Sequence, residues 1–126
     1  MAIEAPFHVS RLAVIGVGLI GGSLALALRQ AGAVGEVLGV GRSRANLDQA
    51  LALGLIDRVA PIEEAARADI IFVATPVAQM PGIFAALAPH LAADTIVTDG
   101  GSTKRDVIAA ARQALGAAFP RFVPAH

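Results

Sequence analysis

Apolar and polar positions along this chain alternate in blocks. Residues 12–16, LAVIG, are a short apolar run stopped by glycine, the pattern of a strand covered on both faces. Residues 19–31 are rich in Leu and Ala and predict a helix, with Gly32 at its C-terminal stop. The run 37–41 predicts a second strand. Ser43 then reads as the N-cap of a helix reaching residue 53, with Gly54 as its stop and Leu47 and Leu51 on one face. Residues 56–60 hold a brief third strand, and Pro61 fits the first position of a short helix over 62–67. DIIFVA at 69–74 is a β-branched strand ended by Thr75-Pro76. A helix entered at Pro81 closes before Pro89, and TIVT at 95–98 is the next strand. Thr103-x-x-Asp106 has capping-box character and opens a helix to residue 115, with Gly116 after it. Residues 121–123 begin a sixth strand.

Strand and helix alternate throughout, with no internal repeat and no linker. That predicts one α/β domain over residues 1–126, a Rossmann-type doubly wound parallel sheet with right-handed crossovers and helices on both faces. Composition narrows the picture. Hydrophobic residues make up 56% and charged residues 16%, which excludes a disordered chain. Ten basic residues balance ten acidic ones, so nothing global draws the chain to nucleic acid or an anionic membrane. The absence of cysteine removes disulfides and Cys-ligated metal, and no metal site is expected. The uncharged runs 12–28 and 70–89 are interrupted by glycine and proline and read as buried elements, not membrane spans. With no basic leader before the first apolar run, the chain reads as cytoplasmic.

The candidate chemistry sits where strands run into helices. Gly16-Val17-Gly18-Leu19-Ile20-Gly21 matches G-x-G-x-x-G, after a strand and opening a helix, the context that gives the pattern meaning. Gly16 permits the tight turn, Gly18 the close approach of backbone to a pyrophosphate, and Gly21 the packing of helix on strand. With Leu19 and Ile20 between them, these residues are candidate cofactor ligands at a helix N-terminus. At the end of the second strand, where a carboxylate would accept from the adenosine ribose and repel a 2′-phosphate, the sequence reads GVGRSR. Gly41 replaces the acid, and Arg42, Ser43 and Arg44 offer donors suited to phosphate. The pocket therefore leans to NADP, with NAD left open. Ala74-Thr75-Pro76 ends the fourth strand beside the same crevice, as a cofactor contact or as a simple strand stop. TDGGSTK at 98–104 lies on the same sheet edge and is also explained as an Asx-type turn with a helix cap.

Taken in order, GVGLIGGSLALAL, ALGLIDR, ADIIFVATPV, TIVTDGGSTK and FVPAH resemble the prephenate/arogenate dehydrogenase family of tyrosine biosynthesis, from about residue 11 to residue 126. The resemblance implies NAD(P)-dependent oxidative decarboxylation of prephenate or arogenate. It implies that His126 bonds the ring hydroxyl and assists its deprotonation, and that Ser102 lies near that histidine and the nicotinamide. A neutral imidazole suits such a proton transfer. Ala125 stands where the family usually has glycine. The family's second, mostly helical domain supplies dimer contacts and a substrate-binding arginine. Nothing here corresponds to it, so the chain is expected to be the cofactor-binding half, inactive alone, with a homodimer expected of the full-length protein. Two alternatives stay open: a β-hydroxyacid-type dehydrogenase or reductase, which usually carries methionine where Ile20 stands, and a non-catalytic NAD(P)-binding module.

Overall fold

The computed structural model describes residues 9–16, 19–99 and 122–123. Strand β1 (Val9–Ile15) leads to helix α1 (Leu19–Gln30), then β2 (Val34–Val40), α2 (Arg44–Ala52), β3 (Arg58–Val59), α3 (Ile62–Ala65) and β4 (Ile70–Val73). A 3₁₀ turn (Val77–Gln79) enters α4 (Met80–Leu87), a second (Ala88–His90) leaves it, and β5 (Ile96–Asp99) and β6 (Phe122–Val123) complete the sheet. The strand order is β3-β2-β1-β4-β5-β6, and every pairing is parallel. Among the described residues no helix is long and apolar enough to cross a membrane.

Side chains alternate across a strand, and β1 shows why its apolar run is continuous. Ala13 and Ile15 face one core with Leu38, Ile71, Val73, Val97 and the α4 residues Met80, Phe84 and Leu87. Leu12 and Val14 face the other, with Val37, Phe72, Ala25 of α1 and Leu47 and Ala50 of α2. Both faces are covered, so neither needs polar positions.

Several boundaries differ from the sequence expectation. β1 and β2 begin three residues early, at Val9 and Val34, which pair with each other. The extension depends on Gly35, where a Cβ would lie 2.8 Å from the Ser10 carbonyl oxygen. β2 ends at Val40 and β3 shrinks to two residues. Pro61 is the extended N-cap of α3 (φ −70, ψ 158), not its first helical residue; its carbonyl accepts from the Ala65 N–H at 3.0 Å. The helix expected after Thr103 lies outside the described residues. The glycine stops stand where expected: Gly32 and Ala33 donate to Arg29 and Leu28, and Gly54 and Leu55 to Leu51 and Ala50, the paired bonds of a Schellman closure.

One carboxylate fixes the edge of the sheet. Asp57 accepts from the Val37 N–H at 2.7 Å, donates its own N–H to the Val37 carbonyl at 2.8 Å, and pairs with Arg29 at 2.7 Å. Desolvation pushes its carboxyl upward, but the bonds from Arg29 and Val37 and the Arg29 charge outweigh it, so it titrates below its ordinary value. A depressed folded pKa means stability that is present above the ordinary carboxylate range and lost as pH falls through the folded value. Asp57→Asn is therefore expected to lower the denaturation midpoint near neutrality and to flatten its fall in acid. Superimposable midpoint-against-pH curves for the two proteins would contradict this role.

Candidate active-site crevice

The C-terminal ends of β1, β2 and β4 come together around a crevice of about 410 Å³. β2 and β3 are added to one side of β1, and β4 to β6 to the other. The crevice thus opens at the point where strand order reverses, the usual ligand position in open parallel α/β sheets.

Its floor is Gly16 at the end of β1, with φ +85, a region costly for residues with a Cβ. A Cβ here would meet the Thr75 Cγ2 at 2.8 Å and the Thr75 nitrogen at 3.1 Å, so the tips of β1 and β4 touch through this glycine. The Gly16 N–H donates to the Val40 carbonyl at 2.7 Å, which ties in the tip of β2. Gly21, one turn into α1, sits where a Cβ would lie 2.7 Å from Val14 Cγ1; α1 packs on β1 at glycine distance. Leu19 and Ile20 form the start of α1.

The β2 wall comprises Val40, Gly41 and Arg42, continued by Ser43, Asn46 and Leu47 at the start of α2. A Cβ at Gly41 would make only ordinary contacts with Leu47 carbons, none closer than 3.5 Å. Arg42 is exposed and is the one charged residue among the described residues lining the crevice. The Ser43 hydroxyl accepts from the Asn46 N–H at 3.2 Å, so its oxygen is engaged as the α2 cap, and its proton stays available. Arg44 does not line the crevice. Its guanidinium pairs with Asp48 one turn along α2 at 3.0 Å, as expected for opposite charges at i,i+4.

The opposite wall is Ala74, Thr75 and Pro76, then Gln79 and Ile83. The Thr75 hydroxyl is buried and has no hydrogen-bond partner among the described residues, an unfavourable state for a buried polar atom. Its methyl lies on the Gly16 side, 2.8 Å from where a Cβ of residue 16 would stand. Asn46, Leu47, Gln79 and Ile83 were not among the residues singled out from sequence. Gln79 and Ile83 are four apart and share a helical face, a weak signal until the fold shows which face looks inward.

Asp99, the last residue of β5, is buried at 1% and registers with Val73 of β4. Gly18, Ser102 and His126 lie outside the described residues. Among the described residues no group of three or more potential ligands is gathered for a metal.

Six described parallel strands in this order, with a left-handed glycine directly after β1 and a crevice at the switch point, define a Rossmann-type nucleotide-binding domain. A family model described as the nucleotide-binding domain of prephenate dehydrogenase matches residues 24–126. The chain is 32% identical over 118 residues to a prephenate dehydrogenase of Lactococcus lactis subsp. cremoris (strain MG1363), covering 92% of this chain and 33% of the relative. Its structure is similar to a prephenate dehydrogenase from A. aeolicus in complex with hydroxyphenyl propionate and NAD+, with TM-score 0.82 and 30% identity over 91% of this chain and 40% of the other. It is also similar to a Synechocystis arogenate dehydrogenase, with TM-score 0.76 and 34% identity over 84% of this chain and 38% of the other. The chain belongs to the prephenate dehydrogenase nucleotide-binding domain family. It spans about a third of the length of the curated relatives it matches.

Proposed function

We propose that this chain is the cofactor-binding part of a cytoplasmic NAD(P)-dependent dehydrogenase that oxidatively decarboxylates prephenate or arogenate, and that it prefers NADP. The observation that carries the reading is the crevice at the switch point, with Arg42 as the one charge among the described residues lining it, Gly41 in place of the expected acid, and a Thr75 hydroxyl with no partner among the described residues. Family membership supplies the reaction class, and the relative with NAD+ in its complex supports a nicotinamide cofactor.

The residues present fit such a group. The Gly16–Gly21 turn, with Gly18, Leu19 and Ile20, would take the pyrophosphate, where backbone N–H groups and the helix dipole favour an anion. The Thr75 hydroxyl, between Ala74 and Pro76, would meet the ribose–phosphate portion. Arg42 presents a planar fork to a 2′-phosphate, with the Ser43 proton beside it and Arg44 held away by Asp48. When bound, the nicotinamide supplies a hydride acceptor. His126 accepts the proton of the ring hydroxyl, and Ser102 helps to orient it. Turnover calls for a substrate-binding portion beyond the cofactor crevice, and the whole enzyme works as a homodimer.

Titration of the chain with each cofactor, followed calorimetrically, tests the reading. A lost charge-assisted bond is worth about 1.5–3 kcal/mol, so Arg42→Ala should raise the NADP dissociation constant at least ~10-fold and that for NAD less than about 2-fold. Equal losses for both cofactors would remove the NADP preference. Absence of any binding by the unaltered chain would remove the dinucleotide reading itself.

A further inference from the structure

Gln79 stands on the crevice wall formed by the β4 end and α4, facing the wall that carries Arg42. Its backbone is fixed at the N-cap of α4 (φ −90, ψ −15), and its side chain makes no capping bond. Its N–H donates to the Pro76 carbonyl at 2.9 Å. The residue is half-buried, and no hydrogen bond or ion pair engages its carboxamide among the described residues. A carboxamide offers a donor and an acceptor side by side, and this one stays open to whatever enters the crevice.

The surroundings define what could pair with it. Val40, Leu47 and Ile83 give the crevice apolar walls, which suit the faces of a flat ring system. The crevice spans the switch point, and one of its walls is the end of β2 with Gly41 and Arg42, the strand end at which the adenosine ribose of a dinucleotide is read. Adenine presents an exocyclic amine donor next to a ring-nitrogen acceptor, and a glutamine carboxamide can bond both at once. Asn46 carries the same group, but it is exposed on the first turn of α2, where water satisfies it.

We infer that Gln79 reads the polar edge of the cofactor's base and so sets its preference for adenine. The inference rests on the dinucleotide reading and goes beyond it, because pyrophosphate and ribose contacts carry no information about the base.

The test compares dissociation constants for a nicotinamide dinucleotide carrying adenine and one carrying unsubstituted purine, which lacks the exocyclic amine. A neutral hydrogen bond lost from a desolvated site is worth roughly 10-fold in affinity. The unaltered chain should prefer the adenine cofactor by about 5- to 10-fold. Gln79→Met should bring that ratio below about 2. Gln79→Asn, which withdraws the amide by one methylene, is expected to lose most of the same discrimination and guards against a methionine-specific effect. An unaltered chain that binds both cofactors equally overturns the inference, and so does a ratio that survives both substitutions. Binding of neither cofactor by the unaltered chain overturns the dinucleotide reading and this inference together.

Discussion

Gly16→Ala is expected to remove measurable dinucleotide binding and to destabilise the fold by about 2–4 kcal/mol, combining a left-handed backbone penalty with overpacking. Two independent facts set this size. Gly16 has φ +85, and the added Cβ would sit 2.8 Å from Thr75 Cγ2 and 3.1 Å from backbone nitrogen. The methyl could yield; the Thr75 backbone belongs to the tip of β4 and could do so only by moving the strand end that walls the crevice. Relief by backbone movement would also strain the 2.7 Å bond from Gly16 to Val40, which holds the β2 wall. Binding should therefore fall as well as stability, by roughly 100-fold or more, a change of at least ~2.7 kcal/mol. Gly41→Ala is the matched comparison, because its Cβ meets only ordinary contacts with Leu47; it should melt like the unaltered chain. Cofactor titration and chemical denaturation of both variants check this. A Gly16→Ala chain that binds within a few-fold of the original would show that the turn adapts.

The second large effect belongs to the core. Phe84 is fully buried and is the largest fully buried side chain among the described residues. It packs with Ile15, Ile71 and Val97 beneath the sheet, with Met80 and Leu87 on either side along α4. Phe84→Ala should cost about 3–5 kcal/mol. For a domain of this size that corresponds to a fall in melting temperature of roughly 10–25 °C, read by circular dichroism. α4 also carries Ile83 to the crevice, so the variant should weaken cofactor binding at temperatures where it is still folded. A loss below about 1 kcal/mol would mean that Met80 and Leu87 close over the space, which is uncommon in well-packed cores.

How much of this was legible in the sequence depended on whether the signal was local. The left-handed Gly16 after β1, the Ser43 cap and the stops at Gly32 and Gly54 are local backbone chemistry, and each stands in the structure where the residues implied. The alternation of strand and helix is a property of the whole pattern, and it led to the observed sheet class. The beginnings of β1 and β2 were not legible, because residues 9–11 and 34–36 mix apolar and polar side chains. Their pairing rests on Gly35 admitting the Ser10 backbone, a contact between strands. The Arg44–Asp48 spacing was visible at i,i+4, yet the arginine's pull toward a phosphate and toward its helix neighbour could be weighed only once the crevice was located. Gln79 and the Thr75 hydroxyl were hardest to read. A missing hydrogen bond is a property of everything around a group, and no short window of sequence contains it.

The contact between Gly16 and Thr75 has a consequence for how this pair of positions can drift. The threonine methyl occupies the space a Cβ at residue 16 would need, so a side chain at one position makes the other position's tolerance conditional. Thr75→Ser would vacate the methyl's place, and alanine at residue 16 would then lose the 2.8 Å clash while keeping the left-handed backbone penalty and the 3.1 and 3.2 Å contacts with the Thr75 and Ala74 backbone. The reverse order passes through a chain that meets both penalties at once. The two residues are 59 apart in sequence, yet they should behave as a single site in any library or lineage. Changes at residue 75 should come first, and changes at residue 16 should survive only on that altered background.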